Sequence, residues 1–114
     1  GGDEAIMRDG IRYVIMESNG DSKQLMKMLS ELTRDKSKPT LAIIGSRDGG
    51  GKIIVATTEY TKASENYNSV EILNSIASHI NGGGGGRPTF AQGGGSNPDG
   101  IPEALNAARK MLDI

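Results

Sequence analysis

The chain has 114 residues, 24% charged and 35% hydrophobic, the composition of one soluble globular domain with a modest core. It has no cysteine, which excludes disulfides and thiol catalysis, and with His79 its single histidine a zinc site would be built almost wholly from carboxylates, which zinc rarely accepts. A net charge of −1 argues against a surface coated in positive charge for gripping long duplexes, but permits a local basic patch.

Residues 1–10 are polar and irregular apart from Ile6 and Met7, and read as the remnant of an upstream segment; residues 11–114 read as the domain. No basic region followed by an apolar stretch marks a secretory signal, and no apolar run approaches the roughly 18 to 20 residues that span a bilayer. Ile11 to Glu17 is short and rich in β-branched and aromatic residues, which predicts a strand. Ser18-Asn19-Gly20-Asp21 is turn chemistry, and Asp21 or Ser22 caps a helix running to about Asp35. Leu25, Met28, Leu29 and Leu32 form its apolar stripe, while Lys23, Lys27, Arg34 and Lys36 face water. Lys38-Pro39 stops it.

Two apolar runs follow, Leu41 to Ile44 and Ile53 to Ala56, joined by the loop Gly45 to Lys52. They predict an antiparallel pair covered on both faces. A second helix is expected from about Asn66 or Asn68 to Ile80, with Val70, Leu73, Ile76, Ala77 and Ile80 in its stripe and Asn81-Gly82 as its stop. A glycine-rich loop then runs to Gly100, and a last helix spans about Pro102 to Leu112. The fold class is therefore α/β: one small mixed sheet with a β-hairpin against about three helices, in the order β-α-β-β-α-glycine loop-α.

Catalytic motifs are missing. The loop Gly45 to Lys52 fails as a P-loop, because Ser46 stands where the first glycine belongs and Ile53 where the magnesium-binding hydroxyl belongs. Neither glycine cluster aligns with a dinucleotide fingerprint. The carboxylates form no paired motif, and His79 near a helix end has no visible nucleophile or carboxylate partner. The five glycines Gly82 to Gly86 end abruptly at Arg87-Pro88 and are echoed by Gly93 to Gly95. A tight backbone path with positive φ and a row of exposed amides suits anionic oxygens. On that reading Gly85→Val damages the fold.

The string Gly84-Gly85-Gly86-Arg87-Pro88-Thr89-Phe90-Ala91-Gln92-Gly93-Gly94-Gly95 resembles the glycine signature of the DHH-associated domain at the C-terminus of alanyl-tRNA synthetases, in an archaeal-like form. The likeness extends back through Ser69 to Leu73 and the hairpin Leu41 to Thr57, and forward through Pro102 to Ala108. The resemblance implies a cytoplasmic, non-catalytic module that contacts the outer corner of tRNA and aids aminoacylation and editing by its parent. ATP with magnesium, and zinc in an editing domain, would be the parent's cofactors, with none in this fragment. A homodimer would form through a helical segment upstream, and no membrane is implied.

Arg87 and the amides of Gly83, Gly84, Gly85 and Gly86 are the leading RNA contacts on this reading, with Gln92 as a polar second. Arg47, Lys52, Lys62 and Arg109 are weaker candidates for phosphate. Against it, Arg87 and Gln92 could simply anchor the glycine loop. Two other parents fit the resemblance, a DHH-type phosphodiesterase or exonuclease and a long-form alanyl-tRNA editing protein; a self-association module is the remaining reading. In the phosphodiesterases histidine tends to follow the glycines, whereas Arg87-Pro88 stands here.

Overall fold

The structure, a computed structural model, describes residues 5–114. Its strands and helices are β1 (Ile6–Arg8), β2 (Ile11–Ser18), α1 (Ser22–Thr33), β3 (Thr40–Ser46), β4 (Gly51–Thr57), α2 (Lys62–Asn66), α3 (Ser69–Ile76), β5 (Gly82–Arg87), β6 (Phe90–Gly95) and α4 (Ile101–Leu112). Turns of 3-10 helix occupy Ala77–Ile80 and Pro98–Gly100. The strands form one mixed sheet in the order β1-β2-β3-β4-β6-β5. Only β2 and β3 run parallel, with α1 as the crossover between them.

Local chemistry explains most boundaries. Asp21 and Gln24 form a reciprocal capping box at the start of α1, each side chain accepting from the other's backbone amide at 2.9 Å. Asn68 caps α3, accepting from the amides of Val70 and Glu71. Asn81, with φ 54°, ends the 3-10 turn that extends α3. The middle of each strand of the β3–β4 pair, Leu41 to Ile44 and Ile53 to Ala56, is apolar because both faces are covered. Ala42, Ile44, Ile54 and Ala56 pack under Leu25 and Leu29 of α1. Leu41, Ile43, Ile53 and Val55 pack under α3 and α4, including Leu73, Ile76, Ile101 and Leu105.

Three expectations are corrected. The glycine-rich loop is a β-hairpin, β5–β6, because a ladder of backbone hydrogen bonds needs no side chains. Within the supposedly irregular start, Ile6–Arg8 is a strand on the edge of β2; residues 1–4 lie outside the described ones. Arg8 holds that strand down by donating to the carbonyls of Leu112 and Asp113 at 2.7 and 2.9 Å, at the otherwise unpaired end of α4. Its guanidinium also lies 5.0 Å from the ring centroid of Tyr13. Finally, the short helix α2 precedes the expected second helix, capped by Thr61 with Ser64.

Candidate nucleic-acid interface

The hairpin's two faces are unequal. On one, α3 lies against β4, β5 and β6; on the other, α1 covers β3 and β4 and stops short of β6 and β5. Cross-strand register gives three rows on this side of the sheet, running from β4 out to the open β6 and β5, with Ile54 and Ala56 of β4 buried under α1. Lys52, Gly94 and Gly83 make the first. Ile54, Gln92 and Gly85 make the next row, and Ala56, Phe90 and Arg87 the last.

Glycine serves different ends on the two faces. A Cβ built on Gly82 would lie 2.2 Å from the carbonyl oxygen of Gly94, and one on Gly84 2.1 Å from that of Gln92. The close approach of β5 to β6 therefore demands glycine at both. At Gly83 and Gly85 a Cβ would meet nothing within 4 Å. Nor does positive φ require it there: within the five-glycine run only Gly86 is in that region, at 154°. The expected strain at Gly85 is thus absent, because the residue sits in an extended edge strand.

Arg87 and Phe90 flank the two-residue turn Pro88-Thr89, with the guanidinium 5.4 Å from the ring centroid. Among the described residues no ion pair or side-chain hydrogen bond engages Arg87 or Gln92, and both are exposed. Other bonds anchor the hairpin tip. The Ser69 amide donates to the Pro88 carbonyl at 2.7 Å, and the Thr57 amide to that of Thr89 at 3.1 Å. The Thr89 hydroxyl is 3.2 Å from Glu59.

Beside Arg87 the open face deepens into a cleft of about 330 Å³ between α1 and the β4–β6 ends. Leu29, Ala56 and Phe90 form its apolar part, and Arg34, Lys36 and Arg87 bring three cations to it against the single carboxylate of Glu59. Lys36 is carried on a turn tied by Asp35, whose carboxylate accepts from the hydroxyl and amide of Ser37 at 2.6 and 2.9 Å. Those bonds hold the Asp35 carboxyl below its ordinary range. By sequence Arg34 and Lys36 are water-facing residues beside the helix stripe; the cleft they line with Arg87 forms only when β4 pairs with β6.

The weaker candidates are dispersed. Lys52 shares the open face but stands at the other end of the strands, about 13 Å along from the Arg87 row, and pairs with Asp48 at 3.8 Å. Arg47 is also at that end, bound through two nitrogens to Glu17 at 2.8 and 3.3 Å and lying 3.8 Å from Asp99. Lys62 donates its ammonium to the Asp9 carbonyl. Arg109 donates to Asn106 and to the Ile15 carbonyl from α4, on the opposite side of the sheet. His79 lies 3.9 Å from Glu103 at the surface. No cluster of three or more His, Cys, Asp or Glu that could hold a metal exists among the described residues, and none of their helices is long and apolar enough to cross a membrane.

Residues 10–113 match the DHHA1 domain family. Among curated proteins, the alanine–tRNA ligase of Pediococcus pentosaceus is 30% identical over 112 residues, covering 98% of this chain and 13% of that protein. The alanine–tRNA ligase of Methanothrix thermoacetophila is 33% identical over 116 residues, covering 97% of this chain and 12% of that protein. The chain therefore spans only about an eighth of the relatives it matches. In three dimensions it is similar to the crystal structure of the C-Ala domain from Aquifex aeolicus alanyl-tRNA synthetase, with a TM-score of 0.70, 28% identity and 91% coverage of each chain. The match over residues 10–113 makes the chain a member of the DHHA1 domain family, similar in sequence to part of the alanine–tRNA ligases and in structure to the C-Ala domain of one of them.

Proposed function

We propose that this domain is the non-catalytic, RNA-contacting C-terminal module of an alanyl-tRNA synthetase, and that its open β6–β5 face grips the outer corner of tRNA. The observation that carries the reading is the bareness of Gly83 and Gly85, where the fold itself has room for side chains. Glycine at positions of no internal need fits a surface that another backbone approaches closely. Arg87, unpaired within the described fold and stacked on Phe90, suits a phosphate or a base, since guanidinium can pair bidentately or stack. Gln92 adds a donor and an acceptor between them. Folded RNA is read largely through backbone, 2′-hydroxyls and exposed base faces, all reachable from a flat floor.

Three cations near one carboxylate supply the local positive field that the net charge of −1 does not. The module would raise the parent's hold on tRNA during charging and editing, with ATP, magnesium and zinc bound elsewhere in the parent, and dimerisation left to an upstream helical segment. Titration of the chain with folded tRNA, at low and moderate salt, beside a short single-stranded RNA tests this. Tighter, salt-sensitive binding of folded tRNA is the expected result. Equal or better binding of the short strand would favour a phosphodiesterase-like substrate domain, and binding of neither would overturn the reading.

A further inference from the structure

Tyr60 is the most exposed of the large hydrophobic side chains among the described residues, at 85%, and its backbone is left-handed with φ 58°. A bulky aromatic residue in that region is uncommon and held at a cost, so its persistence asks for a cause. The turn that carries it is fixed on both sides. The Thr61 hydroxyl donates to the Thr58 carbonyl at 2.7 Å, and Glu59 accepts from Thr89 of the hairpin tip. The Thr57 amide is bonded to the same tip. Tyr60 and Arg87 therefore sit on one stitched rim, and both line a cleft of about 410 Å³ with Glu59, Ser64, Glu65 and Thr89. Lys36 lies 5.0 Å from the centroid of the Tyr60 ring and, with Arg34, lines the neighbouring cleft that also contains Arg87.

We propose that Tyr60 is a stacking platform, its ring packing on the exposed face of a nucleobase in the RNA that Arg87 engages. This rests on the RNA-contacting reading above and assigns it a residue outside the glycine hairpin. The ring supplies a flat apolar surface, and the fixed turn holds it out with little ordering left to do on binding. Lys36 lies over one side of the ring and Arg87 lines the same cleft, offering charges to adjacent phosphates beside the carboxylates of Glu59 and Glu65. Base–aromatic stacking tolerates any base, so the site recognises an available base face rather than a sequence. That face belongs either to a flat terminal base pair of folded RNA or to an unstacked base in a single strand.

The test compares the 114-residue chain with Tyr60→Gly, Tyr60→Phe and Tyr60→Trp, against folded tRNA and a short single-stranded RNA. Glycine suits the left-handed turn, so Tyr60→Gly keeps or raises the melting temperature. It weakens binding about tenfold, while Tyr60→Phe binds like the parent chain. The sequence has no tryptophan, so Tyr60→Trp introduces a lone reporter whose fluorescence is quenched as RNA saturates the protein. A loss confined to folded tRNA identifies a terminal pair as the source, and a loss shared by the short strand identifies an unstacked base. Unchanged affinity of Tyr60→Gly, or no quenching at saturation, overturns the platform while leaving the RNA-contacting reading intact. Failure of the unaltered chain to bind either RNA overturns both.

Discussion

Arg87 lies over the ring of Phe90, its direct cross-strand partner at the closed end of the glycine hairpin, with no carboxylate of the described fold paired to it. The guanidinium is held in direction by an aromatic ring but left with its hydrogen-bond donors free. Arg87→Ala is expected to weaken tRNA binding about tenfold, about 1.4 kcal/mol. It should also lower the slope of log affinity against log salt by about one unit. Because the side chain is exposed and anchors nothing, the melting temperature should stay within error. A large fall in melting temperature would return Arg87 to the role of an anchor.

Neighbouring glycines should behave in opposite ways. Gly85→Val projects onto the open face, where nothing lies within 4 Å, so the variant should fold with near-normal stability yet lose tRNA affinity. Gly84→Val drives a side chain into the backbone of β6 and should cost more than about 3 kcal/mol in a urea melt. Equal destabilisation of the two would show that the faces are not distinct.

Tyr67 makes stability sensitive to alkali. Burial, and then the hydrogen bond of 2.6 Å with Tyr13, push its hydroxyl above the ordinary tyrosine value, with Arg8 opposing in part. A raised folded value means that the folded state holds the proton more firmly. The contribution is full below the ordinary value of about 10 and is lost as pH rises through the folded one. Denaturant melts taken from neutral to strongly alkaline pH should show this loss, and Tyr67→Phe should shrink it.

The wall of the cleft depends on α1, and α1 on its cap. Asp21→Ala removes the acceptor for the Gln24 amide and should cost about 1 kcal/mol, read as a lowered denaturation midpoint with an unchanged slope. Asp21→Asn, which keeps an acceptor, should recover most of it.

What is legible in the sequence follows from what side chains can announce. The stripe Leu25, Met28, Leu29 and Leu32 marks α1 because its apolar face must be buried, and the unbroken runs of β3 and β4 mark strands covered on both sides. The glycine hairpin escapes this logic, since Gly82 to Gly86 offer no alternation and the strand exists through backbone pairing alone. With five residues, α2 is too short for a period to show. Among the candidate site residues, Arg87, Gly83, Gly85 and Gln92 stand out in the sequence because they cluster in the chain. Arg34, Lys36 and Tyr60 come from separate segments and meet Arg87 only when β4 pairs with β6. Arg47 looks like a phosphate ligand by type, yet Glu17, thirty residues away, takes its guanidinium.

The glycine edge and the strand clamped by Arg8 lie at opposite ends of the six-stranded order, about 24 Å apart across the sheet. The open glycine edge is thus as far as the sheet allows from the corner where β1 meets the end of α4. A pivot of only about 10° at that corner sweeps that edge through about 4 Å, roughly the width of one more strand.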